Sequence, residues 1–133
     1  MTKEQIDQSQ LEVARAVYGT GCSLRMVEHP LWKKCFETLR PAFKLPNRDM
    51  MSNSLLERVY EETVTTAKEQ VAAASSVAIL CDGWTNIRNE GIINFVITVP
   101  RPIFWSSTAT GAESHTGEYM ASLIKKWLKK LVQ

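Results

Sequence analysis

The sequence predicts an α+β chain, with helices over its first half and then a short run of strands closed by one more helix. Two observations carry this. Apolar residues recur at three- and four-residue spacing up to Ser75-Ser76 and at strand-like spacing after it. Between Gly91 and Val99 the alternation is strict, with Ile93, Phe95, Ile97 and Val99 on one side and Asn94 and Thr98 on the other. The organisation is therefore a helical region at 1–75 followed by a β-β-β-α region at 76–133.

Each element has its own local cause. Leu11, Ala14, Val17 and Tyr18 form the apolar side of a first helix that stops at Gly19-Thr20-Gly21. A second helix begins at Pro30, whose missing amide hydrogen costs nothing in a first turn. Its apolar side is Trp32, Cys35, Phe36 and Leu39, and Pro41 ends it. Lys33, Lys34 and Arg40 lie off that stripe and read as a solvated face, with phosphate contact as the alternative. Asn47 is a good N-cap for the longest helix, and Asp49 suits the positive end of its dipole. Leu56, Tyr60, Val64, Ala67, Val71 and Ala74 continue one stripe along it, expected to be core.

Three strands follow, at Val77 to Asp82, Gly91 to Val99 and Ile103 to Thr110. Gly83 to Glu90 joins the first two. Pro100-Arg101-Pro102 joins the others, and its prolines are expected to interrupt the ladder. A last helix from about Gly117 buries Leu123, Ile124, Trp127, Leu128 and Leu131 and gathers Lys125, Lys126, Lys129 and Lys130 near its C-terminus.

Composition narrows the class. A length of 133 residues with 44% hydrophobic and 23% charged residues is that of one ordinary globular domain. The net charge of +2 is too small to argue nucleic-acid binding by itself. Residues 1–7 carry both signs and form no secretory signal, and no apolar run nears the roughly 20 residues of a membrane span. Cys22, Cys35 and Cys81 are irregularly spaced, which reads as a reduced intracellular protein. His29 and His115 lack ligand spacing, so no zinc site is expected and both read as ordinary polar positions.

The chemistry concentrates in Cys81-Asp82-Gly83-Trp84-Thr85-Asn86, directly after the apolar run Val77 to Leu80. The spacing puts Asp82 at the end of a buried strand, where a carboxylate must be hydrogen-bonded, paired or metal-bound. Two readings stand on the residues alone. Asp82 either caps its own turn through the Thr85 or Asn86 amides, or holds a ligand. Trp84 reads as a core side chain under the sheet, with stacking on a flipped base as the alternative. Arg88 reads as an exposed loop residue or a phosphate contact. Lys125, Lys126 and Lys129 read as a solvated helix face or as further phosphate contacts.

Leu31-Trp32-Lys33-Lys34 leading to Leu39-Arg40-Pro41, then Leu45-Pro46-Asn47-Arg48, then the Cys81 to Asn86 stretch, resembles the hAT-type transposases. More closely, it resembles the domain of unknown function that recurs in transposon-derived proteins of that superfamily. Asn94-Phe95, Phe104-Trp105 and Thr116-Gly117-Glu118-Tyr119 continue the likeness, which spans about residues 11–128. The resemblance implies that the sheet and last helix open an RNase H-like fold. It implies that Asp82 is the first of three carboxylates in a DDE-type site, with Mg²⁺ or Mn²⁺ as cofactor, DNA as partner and a nuclear location. Hard oxygen ligands fit those cations rather than zinc.

The second and third carboxylates of that pattern have no counterpart before Gln133, which falls within the last helix. The expectation is a fragment that does not cleave DNA alone. The alternative is a non-catalytic DNA-binding or protein-interaction module derived from a transposon. The strand expected in parallel beside the first is missing too, so the first-strand edge is expected to self-associate.

Overall fold

The computed structural model describes residues 1–111 and 113–131. The chain divides into two compact units, Met1–Ala72 and Ala73–Gln133.

The first unit is helical: α1 (Lys3–Thr20), a 3-10 turn (Leu24–Glu28), α2 (Pro30–Leu39), α3 (Arg48–Ser52) and α4 (Ser54–Ala73). The Thr2 hydroxyl accepts from the Gln5 amide while Gln5 reaches back to the Thr2 amide, which satisfies the first turn of α1. Gly21 ends α1 in the left-handed region at φ 68°, where a residue without Cβ pays no steric cost. Leu11, Ala14, Val17, Val27, Met51 and Leu55 form the core of this unit. The Tyr18 hydroxyl donates to the Met51 carbonyl at 2.6 Å, and Gln10 Nε2 donates to the Lys44 carbonyl at 2.9 Å. Arg15 of α1 pairs with Glu62 of α4, which Arg58 also approaches, and the Arg15 hydrogen bond holds the Glu62 carboxyl below its ordinary range.

Two helical expectations change. Asn47 caps only the five-residue α3, because Asn53 leaves helical geometry and restarts the chain as α4. The break sets the phase of α4, so that Leu55 and Val59 face the core. Leu56 and Tyr60 are 44% and 67% exposed, not core. On the apolar side of α2, Trp32 and Leu39 are exposed, while Phe36 is half-buried with its ring 5.7 Å from that of buried Phe43.

The second unit is a three-stranded antiparallel sheet in the order β1-β2-β3, of β1 (Ala78–Thr85), β2 (Gly91–Val99) and β3 (Arg101–Gly111). The helix α5 (Gly117–Leu131) follows. The observed class is α+β. Ile93, Phe95, Ile97 and Val99 are buried, as their alternation requires. Trp127 of α5 stacks on Phe95 with ring centroids 4.8 Å apart, and meets Trp105 edge-on at 6.3 Å. Met120, Leu123 and Ile124 close the same cluster. Leu128 is exposed, and the side chains of Lys130 and Leu131 lie outside the described ones.

Two strand expectations also change. The β1 ladder runs on through Gly83, Trp84 and Thr85, which pair with Ile93, Ile92 and Gly91. Arg101 and Pro102 are not a break but the paired start of β3, opposite Val99 and Thr98. A proline fits there because β3 is an edge strand with a side on which no donor is required.

The Trp127 contacts carry the sheet unit. Trp127→Ala is expected to cost about 3–5 kcal/mol, with amide protection lost at Ile93 and Phe95 in hydrogen exchange. Retained protection there would show that α5 does not hold the sheet.

Candidate functional site

Asp82 lies within β1, not at its end, and pairs directly with Asn94. Asn94 in turn opposes Ser107 on β3, so a polar row crosses the sheet. Parity puts this row on the face opposite Phe95, away from α5. Apolar rows flank it on both sides: Leu80, Val96 and Phe104 on one, Trp84, Ile92 and Ala109 on the other. Neighbouring rows stand about 7 Å apart along the strands.

The premise of a buried carboxylate fails. Asp82 is exposed, as is all of β1 except the half-buried Ile79: α5 packs over Phe95 and Trp105 of the other two strands, and Asp82 lies on the face turned away from it. Trp84 is 47% exposed on the open face rather than a core side chain beneath the sheet.

The turn-capping role open to Asp82 in the sequence is performed by Asn86. Its Oδ1 accepts from the Arg88 amide at 2.9 Å and the Glu90 amide at 3.0 Å. Its Nδ2 donates to Glu90 Oε2 at 2.7 Å. The left-handed Asn89, at φ 59°, completes this tight hairpin, a conformation asparagine tolerates. Arg88 is exposed at the hairpin tip, beyond Asn86, which itself stands about 13 Å of strand from Asp82. Lys125, Lys126 and Lys129 are exposed on α5, which covers the other face. The residues singled out in the sequence thus occupy three places: Asp82 and Trp84 share the open face, Arg88 marks the tip, and the lysines lie opposite.

The donor set at Asp82 is one carboxylate beside neutral Asn94 and Ser107. Among the described residues, no three or more Asp, Glu, His or Cys side chains converge. That set does not fit a clamp for two divalent cations, which requires bridging carboxylates.

A second cluster escaped the sequence reading. His115, an ordinary polar position by its sequence context, folds back against Gly83 and Gly91 on the covered face of the sheet. Its Nε2 lies 2.7 Å from Thr110 Oγ1, a side chain buried to 5% exposure, and its ring stacks parallel to Tyr119. The close approach requires Gly91, where a Cβ would lie 2.5 Å from Thr110 Oγ1 and 3.1 Å from His115 Nε2. Thr110 reaches this position because it is an extra residue of β3, where the register shifts between Gly91 and Ile92. The sequence signal was a glycine opening an otherwise branched strand.

An α+β domain with a lone acid on an uncovered sheet face is the class these features define. The family model for the domain of unknown function DUF659 matches residues 46–132, more than half of the chain, and the chain belongs to that family. The Leu31 to Pro41 stretch precedes the matched region. Neither the curated proteins nor the solved structures contain a match.

Two outcomes test this geometry. Gly91→Ala is expected to destabilise by about 1–3 kcal/mol through the Thr110 clash. Combined with Thr110→Ala, the loss in thermal midpoint should fall well short of the sum of the two single losses. Full additivity would remove the packing explanation. Cys81 shares the side of β1 that faces Phe95, and partial desolvation raises its thiol pKa. Because burial favours the neutral thiol, its alkylation should rise with pH around a midpoint above the ordinary thiol value. That midpoint should return to the ordinary value in denaturant, and an unchanged profile would argue against the shift.

Proposed function

We propose that these residues belong to a hAT-type transposase-like protein, and that the sheet with α5 is the opening portion of its RNase H-like core. The observation that supports this is the position of Asp82, in the middle of the edge strand of a β1-β2-β3 meander that a helix then crosses on the opposite face. The family match agrees with a transposon-related origin. In this reading Asp82 contributes one oxygen ligand to Mg²⁺ or Mn²⁺, the chain works on DNA in the nucleus, and further carboxylates come from outside these residues. Those cations stabilise the attacking and leaving oxygens at phosphorus when fully held. One carboxylate holds a hydrated cation only weakly, so this chain does not cleave DNA by itself.

The lone carboxylate also favours a second reading, a non-catalytic DNA-binding or protein-interaction module of the same origin. In that case Arg88, Trp84, Lys125, Lys126 and Lys129 supply contacts and Asp82 is dispensable.

A Mn²⁺ titration followed by NMR separates the two. Paramagnetic broadening in the millimolar range should centre on Asp82 and Asn94 and vanish in Asp82→Asn. Broadening that survives the substitution, or centres elsewhere, overturns the metal-site reading. DNA retention unaltered by Asp82→Ala, without metal-dependent broadening, favours the binding module.

A further inference from the structure

The two edges of the sheet are built differently. The β3 edge opens with Arg101-Pro102 and carries register shifts that leave Trp105 and Thr110 as extra residues. A charge, a proline and bulges are the features by which sheet edges resist pairing. β1 has none of them except the single charge of Asp82. It pairs with β2 without interruption from Ala78 opposite Thr98 to Thr85 opposite Gly91, and among the described residues it pairs with no other strand. Its exposed side chains include Leu80 at 53% and Trp84 at 47%.

We propose that β1 is a self-complementary interface, pairing antiparallel with β1 of a second copy about a two-fold axis at Cys81. Symmetry and side-chain chemistry together select this register. Directly opposed residues in an antiparallel pair lie on one face, so a two-fold axis must pass through a residue position. Two such registers give the longest overlap. An axis at Asp82 sets the two Asp82 carboxylates directly against each other, which is destabilising. An axis at Cys81 overlaps Ala78 to Trp84 and sets Leu80 against Asp82 of the second copy.

The same register matches volumes. Ile79 falls opposite Gly83 of the second copy, beside the His115 ring that lies 3.6 Å from where a Gly83 Cβ would stand, and Ala78 opposite its Trp84. Large meets small at both ends. On the covered face, Cys81 meets the second copy's Cys81, and α5 does not obstruct it because Cys81 is exposed. The occupant is therefore a second copy of this chain, joined edge to edge into a six-stranded sheet. The inference rests on the strand edges and not on the transposase reading.

Sedimentation equilibrium of the full chain tests it. The unmodified chain is expected to dimerise. Leu80→Glu brings a carboxylate opposite Asp82 and should raise the dimer dissociation constant at least about tenfold, whereas Leu80→Lys brings an ammonium there and should hold or tighten the dimer. The double variant Leu80→Glu with Asp82→Lys should recover association. A short bismaleimide should join two chains through Cys81, persisting in Cys22→Ser/Cys35→Ser and vanishing in Cys81→Ser. A chain monomeric at every concentration overturns the proposal. Equal effects of Leu80→Glu and Leu80→Lys, or cross-links through Cys22 or Cys35, overturn it too. Leu80 is already exposed, so its variants keep the fold, and failure of Mn²⁺ to bind at Asp82 leaves each of these outcomes unchanged.

Discussion

The stacking of Trp127 on Phe95 is the contact on which the sheet unit depends. Phe95 stands at the centre of the middle strand, so the ring that covers it decides which face becomes core. One helix has limited width. With Trp127 also against Trp105, α5 lies mainly over β2 and β3, and of β1 only Ile79 is half-buried against the cluster. Asp82 stands on the face turned away from α5, where it is exposed. A sheet with helices on both faces would have buried the same sequence and forced its carboxylate to find a partner.

Much of the fold was legible where residue chemistry and position agree. The alternation of β2 separates two unlike faces, and both emerged as read. The ends of α1 and α2 followed from Gly21 and Pro30, whose backbone constraints act locally. The errors arose where a partner decides. The reading of Val77 to Leu80 as a buried strand took apolar content for burial, whereas an edge strand's exposure depends on how far its covering helix extends. The length of β1 is set by β2, whose residues reach back to Gly91 and carry Gly83 to Thr85 along as a ladder. In α4 two overlapping apolar stripes compete, one through Leu55 and Val59 and one through Leu56 and Tyr60. Periodicity cannot choose between them, and the break at Asn53 together with buried Met51 does.

The candidate site was legible in identity but not in environment. The sequence places charge and burial together at Asp82, and the exposure of that residue removes the collision. Asn86 takes over the turn, leaving Asp82 without a local structural duty. What gives the position interest is the polar row of Asp82, Asn94 and Ser107 between two apolar rows. Oxygen donors gathered there are neutral apart from one, which explains why the site lacks the charge to hold a pair of divalent cations. The role of His115 is not legible in the sequence because Gly91 lies far from Thr110 and His115 along the chain and meets them only through the β2–β3 bulge.

The free edge and the acid on it belong to one physical question. A strand offers one set of outward backbone groups, so β1 accepts either a second copy or a different strand, never both. In the transposase reading, a strand carrying another carboxylate occupies that edge beside Asp82 and raises the local negative charge until only a cation relieves it. In the symmetric pair, Leu80 of the second copy stands beside Asp82 instead and brings no oxygen donor. Self-association and metal loading therefore oppose each other at this strand, and a divalent cation that favours the first arrangement must weaken the second by the same linkage.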